Sequence, residues 1–135
     1  MGERKDVKAL LNSYIPTLRA AEARMREWDA EESVYISSPK MDGMPRNPGN
    51  HGLELLTERR ERARKRAEEA REKLFALEDE VWTMISSLNE PDQSVLKYRY
   101  MDGLKWVEVA DRMHYSERTI LYIHGRALNE LRRRQ

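Results

Sequence analysis

The chain has 135 residues, 36% charged and 39% hydrophobic, with 25 Lys and Arg against 24 Asp and Glu. That composition supports one modest domain plus an extension, limits the core it can build and predicts an elongated protein, while a formal charge of +1 argues for no partner by itself. With no cysteine, disulfides, thiol catalysis and cysteine-ligated zinc are excluded, and no apolar run approaches the roughly 20 residues of a membrane helix. The start Met1-Gly-Glu-Arg-Lys-Asp6 has no following apolar region of a signal peptide, so a cytoplasmic protein without membrane contact is expected.

From Asp6 to Glu31, Val7, Leu10, Leu11, Tyr14, Leu18, Ala21, Met25 and Trp28 step by three and four, the pattern of a long amphipathic helix. Pro16 lies inside it, and because an interior proline costs about 3 kcal/mol, a kink or a break with a second start near Pro16 is expected. Residues 33–52 hold three prolines and three glycines, which predicts a loop or partly disordered linker, read either as a passive connector or as a binding loop.

Leu53 to Leu88 contains no proline or glycine and predicts a second long helix. Its seam is Leu53, Leu56, Ala63, Ala67, Ala70, Leu74, Leu77, Val81, Ile85 and Leu88, with alanine as the sole apolar residue type between Arg59 and Ala70. Alanine removes little area from water, so pairing with residues 6–31 as an antiparallel, coiled-coil-like hairpin is expected, with self-association as a further support. The basic run Arg59–Arg66 is interleaved with glutamates, and residues 53–88 carry eight basic against nine acidic side chains, the pattern of a solvated face with i,i+4 pairs more than of an auxiliary phosphate contact, which is the alternative.

Asn89 or Glu90 precedes Pro91, a residue suited to a first helical turn, and Val95, Leu96 and Tyr100 form the inner face of a third helix closed by Gly103. Trp106, Val109, Ala110 and Met113 make one apolar stripe that is cut off at His114-Tyr115. A further helix over 117–134 starts after Ser116, a good N-cap, with Ile120, Ile123, Ala127 and Leu131 turned inward. Two short amphipathic helices so joined read as a helix-turn-helix, with Ala110 permitting the close crossing. The chain is thus predicted to be all-α: a helical hairpin over 1–88 (loop 33–52), then a three-helix helix-turn-helix domain over 89–135.

In that motif the second helix enters the major groove of double-stranded DNA, so Glu117, Arg118, Leu121 and Tyr122 are the candidate base readers, and Ser116, Thr119 and Arg126 the candidate phosphate contacts. Arg118 suits guanine O6 and N7, Glu117 cytosine N4, and Leu121 a thymine methyl group. The plainer reading is a helical hairpin with a charged exposed face. Residues 92–135 carry nine basic and six acidic side chains against sixteen and eighteen in residues 1–91, so the basic excess accompanies the motif. Arg132, Arg133 and Arg134 serve equally as complements to the helix dipole or as phosphate contacts.

His51, His114 and His124 lie in a loop, a turn and a helix without metal-ligand spacing, and no phosphate loop or serine elbow occurs. No metal, no cofactor and no enzymatic activity are expected. His124 either reaches DNA or covers the edge of the core.

The segments Leu96–Leu104 (LKYRYMDGL), Trp106–Ala110 (WVEVA), Tyr115-Ser116, Arg118-Thr119-Ile120 and His124–Leu128 (HGRAL) resemble region 4 of bacterial sigma factors. They are more closely similar to the sigma-region-4-like phage regulators of the ArpU or RinA late-activator type. The resemblance covers about residues 88–134, and Ser38–Arg46 (SPKMDGMPR) extends it weakly toward the N-terminus. It implies sequence-specific duplex DNA binding in transcription control of phage or prophage genes, with Glu117, Arg118, Leu121, Tyr122 and Arg126 aligned to the recognition helix. Leu121 and Tyr122 depart from the sigma pattern, which has basic or amide side chains there, and this leaves recognition of a standard promoter element open. One recognition helix reads few base pairs, so a homo-oligomer, with a dimer favoured, or a partner such as RNA polymerase is expected. The alternatives are a non-DNA-binding adaptor that contacts RNA polymerase or another protein, and a DNA-packaging subunit like the small terminase.

Overall fold

The structure is a computed structural model that describes residues 6–38 and 51–135, with the backbone alone at His51. Among these residues the elements are α1 (Val7–Ser37), α2 (His51–Ser86), α3 (Asp92–Leu96) continued by a π-helical turn (Lys97–Met101), α4 (Trp106–Met113) and α5 (Glu117–Arg133), with no strand. The all-α architecture expected from the periodicity is the one observed. The chain forms two compact units, one of Leu18–Lys73 and one combining the chain up to Thr17 with Leu74–Gln135.

In the first unit α1 and α2 run antiparallel, with Arg59 paired to Glu31 at 2.8 Å and Arg60 to Glu32 at 2.9 Å. The Arg60 guanidinium also lies 4.2 Å from the centre of the Tyr35 ring. Ala21, Ala63 and Ala67 are buried, and alanine at these positions removes little area from water. Arg64 sits between Glu61 and Glu68, at 2.8 and 2.9 Å, so this part of the basic run is engaged by the glutamates interleaved with it. Such exposed pairs contribute little individually.

Two expectations are corrected here. Of the kink or break expected at Pro16, the break is not formed: α1 is continuous through Pro16, and it extends to Ser37 instead of ending near Glu31. Pro16 and Asn12 are both exposed, so the Asn12 carbonyl that lacks its usual donor faces water, and the flanking Leu11, Tyr14 and Ala21 are held by burial. The loop is also shorter at both ends than 33–52, because Ser33–Ser37 and His51-Gly52 are helical. Neither Ser33–Ser37 nor the turn before it contains proline or glycine, and the high loop content of the window came from its middle. Residues 39–50 lie outside the described residues, and so does the functional reading of that loop.

In the second unit, Val7, Leu11, Tyr14, Leu74, Val81 and Ile85 are buried on the parts of α1 and α2 that belong to it, and Leu88 is buried in the turn that follows α2. Helix α3 packs on α5, and α4 packs on α5 and on the π turn. Their common core is Val95, Val109, Ala110, Ile120 and Ile123, with Tyr98, Leu104, Trp106 and Met113 packed around it. Helix α3 begins one residue later than the proline rule suggests: Pro91 occupies the cap position, after a cis Glu90–Pro91 bond, and Asp92 is the first helical residue. The π turn ends where the Asp102 N–H reaches back to the Lys97 carbonyl at 3.0 Å, and Gly103 then takes the left-handed conformation at φ +71°. A side chain there would be strained by the backbone and would also meet Ile15 of α1 at 3.6 Å.

Ile120 is fully buried whereas its neighbour Leu121 is 49% exposed. Ile120→Ala should therefore destabilise the protein by about 2 to 5 kcal/mol, while Leu121→Ala should change stability by no more than about 0.5 kcal/mol. Urea denaturation followed by circular dichroism measures both, and equal losses would contradict the assignment of α5's inner and outer faces.

Candidate nucleic-acid interface

The exposed flank of α5 is set by how the chain enters and leaves α4. Lys105 is extended at the N-cap of α4, and its N–H donates to the Glu108 carboxylate at 3.1 Å. At the other end His114 adopts φ +59°, a left-handed conformation that is uncommon outside glycine, and the Tyr115 N–H returns to the Ala110 carbonyl at 3.0 Å. Ser116 then caps α5, its Oγ accepting from the Thr119 N–H at 3.2 Å and lying 2.9 Å from Thr119 Oγ1. The N-cap read from the sequence is the one formed, and the acidic Glu117 in the first turn complements the positive end of the helix dipole.

Ile120, Ile123, Ala127, Leu128 and Leu131 face inward from α5; the sequence reading had missed Leu128. Opposite them, Glu117 and Arg118 are exposed, and Leu121 and Tyr122 are 49% and 68% exposed. Leu121 and Tyr122 line a shallow groove with Gly125, Arg126, Asn129 and the ion-paired Glu130 and Arg133. Ser116 and Thr119 sit at the start of this flank, where their hydroxyls already bond each other but retain further hydrogen-bonding capacity.

Arg126 is committed elsewhere. Its guanidinium forms a bidentate ion pair with Asp92 at the start of α3, Nη2 on Oδ1 and Nε on Oδ2 at 3.4 Å, which holds the arginine pKa above its ordinary value. The Tyr122 ring centre is 5.8 Å from the guanidinium carbon. Asp92 carried no signal in the sequence, because the two residues are 34 positions apart and a single acid at a helix start is explained by the dipole alone.

His124 covers the core edge on the other side of α5. Its Nε2 lies 2.6 Å from the Tyr100 hydroxyl, and its ring packs edge-on against Trp106 with centroids 4.7 Å apart. Arg99 stacks on the same Trp106 at 4.4 Å and donates to the Leu104 carbonyl at 3.1 Å. Burial, with the positive charges of Lys8, Arg99 and Arg132 behind it, pushes the His124 pKa down to about 4, so the ring is neutral at pH 7 and can accept from the tyrosine hydroxyl. Trp106 is consequently a packing residue, as its place on the α4 stripe suggests.

The match to known families falls on this part of the chain. Residues 84–133 match the family model Sigma-70, region 4. They form a sigma region 4-like helix-turn-helix domain. No curated protein and no solved structure matches the chain. The region 4-like domain contains α3 to α5 and all seven of the residues singled out above, from Ser116 to Arg126. Among the described residues no three His, Asp or Glu side chains group as metal ligands, and no helix is long and apolar enough to cross a membrane.

The depressed His124 pKa fixes a pH dependence. The unfolded chain protonates this histidine near 6.5 and the folded domain near 4, so the unfolded state binds more protons between those values and stability falls as pH drops through that window. His124→Gln keeps a neutral hydrogen-bonding side chain without the titration. The wild-type loss of melting temperature between pH 6.5 and 4 should exceed that of His124→Gln; parallel curves would contradict a neutral, buried His124.

Proposed function

We propose that the protein is a sequence-specific double-stranded DNA-binding transcriptional regulator of phage or prophage late genes, of the ArpU or RinA type, acting in the cytoplasm without catalysis or cofactor. The observation that carries this reading is the outer flank of α5, capped by Ser116 and held by its inward stripe, which leaves Glu117, Arg118, Leu121 and Tyr122 exposed within the stretch that matches region 4. Those four are the proposed base readers in the major groove, with Ser116, Thr119 and Arg126 toward the phosphates. The basic excess over residues 92–135 supports the same face.

Because one helix reads few base pairs, the regulator acts as a dimer on two half-sites or with RNA polymerase. The exposed Phe75 and Trp82, one heptad apart on α2, support self-association. A solution mass of two chains fits this reading, and a larger ring would favour a DNA-packaging role like that of the small terminase.

Exposure of Leu121 and Tyr122 also favours a second reading, an adaptor that docks on a protein such as RNA polymerase through the same flank. Fluorescence anisotropy with duplex DNA separates the two, since phosphate neutralisation makes affinity fall steeply with salt whereas an adaptor gives no such slope. On a preferred site Arg118→Ala should cost about 1 to 3 kcal/mol and relax specificity, while Arg126→Ala should weaken all sequences alike. Unchanged binding in both variants would rule out this docking.

A further inference from the structure

The charged side chains of α5 are unequally available. Arg133 and Arg134 share Glu130, with contacts of 2.8 and 3.1 Å, and Arg126 is held by Asp92. Among the described residues Arg118 and Arg132 are the α5 arginines without a carboxylate partner. Of the paired cations, Arg126 and Arg133 both line the groove beside Leu121 and Tyr122, but the Arg126 pair differs from the others in kind. The others join residues three or four positions apart on one helix; the Arg126 pair ties α5 to the start of α3.

We propose that Asp92 is a positioning residue that keeps Arg126 as a charge-neutral pair on the reading flank, so that docking on DNA depends on Arg118, Leu121 and Tyr122 more than on attraction to phosphate. The inference rests on the DNA-binding reading above. The Asp92 side chain is 14% exposed and that of Arg126 is 48% exposed, so the acid is fixed in place while the guanidinium faces solvent. The bidentate geometry uses the Nε and Nη2 donors and leaves Nη1 free to turn outward. The Tyr122 ring centre lies beside the pair, 5.8 Å from the guanidinium carbon. A phosphate that approaches Arg126 therefore also approaches the Asp92 carboxylate at hydrogen-bond distance behind it, and the two charges largely cancel. Counterion release follows net neutralisation of phosphate, so wild-type Arg126 adds little to the salt dependence of binding. Replacing it with alanine leaves the Asp92 carboxylate alone beside the DNA, which weakens every sequence equally.

The test is the dependence of duplex affinity on salt, compared for wild type, Asp92→Asn, Asp92→Glu and the Asp92→Asn/Arg126→Ala double variant, each checked for helix content. Asp92→Asn should steepen the slope of log affinity against log salt by about 0.9, an additional loss of about 3.5-fold over a fourfold increase in salt. Asp92→Glu should retain the wild-type slope, and the double variant should return to it. A purely structural role would lower the melting temperature of Asp92→Asn and leave the slope unchanged, and that result overturns the proposal. Asp92→Ser answers the same question should the asparagine variant not fold. Wild type without any salt-dependent duplex binding would instead overturn the DNA-binding reading and this inference with it.

Discussion

What α5 presents to its surroundings depends on the three residues that precede it. His114 in a left-handed conformation stops α4, the Tyr115 N–H closes back onto Ala110, and Ser116 takes up the free Thr119 amide in the first turn of α5. With the helix start fixed in this way, the apolar stripe from Ile120 to Leu131 determines the rotation of α5 about its axis. Glu117, Arg118, Leu121 and Tyr122 are outward because the other side is used for the core. A left-handed non-glycine residue costs about 1 to 2 kcal/mol locally, a cost offset by the burial of Val109 and Ile120 that the turn permits.

The inner and outer environments of α5 divide its polar chemistry. Toward the core, His124 is neutral because burial and nearby cations oppose its charge, and it joins Tyr100 and Trp106 in a closed packing cluster. Toward solvent, the arginines are sorted by partners: Arg126 to Asp92, and Arg133 and Arg134 to Glu130. A domain with a basic excess thus keeps much of it internally compensated. If this flank reads DNA as proposed, discrimination falls on a small set of side chains, among them the largely apolar Leu121 and Tyr122.

Much of this was legible in the chain because it is local. The stripe Trp106–Val109–Ala110–Met113, the Ser116 cap and the inward set on α5 follow from periods of three and four and from one hydroxyl at a helix start. Gly103 was readable as a helix end for the same reason, and it takes a positive φ. Where tertiary contacts decide, the local rules were insufficient. Pro16 carries a real local cost, yet α1 continues because buried neighbours on both sides hold it and the orphaned carbonyl faces water. The loop composition of residues 33–52 described the middle of the window and not its ends, so α1 runs to Ser37. The Asp92–Arg126 and Tyr100–His124 contacts join residues 34 and 24 positions apart, beyond any spacing rule.

The central claim is that the outer flank of α5 reads base sequence in double-stranded DNA. Its most direct test is selection of bound fragments from a random duplex pool by the purified protein, repeated with Leu121 and Tyr122 replaced together by alanine. The account predicts one enriched motif for the wild type, degraded at specific positions in the variant. Recovery of no enriched motif from the wild-type selection would contradict it.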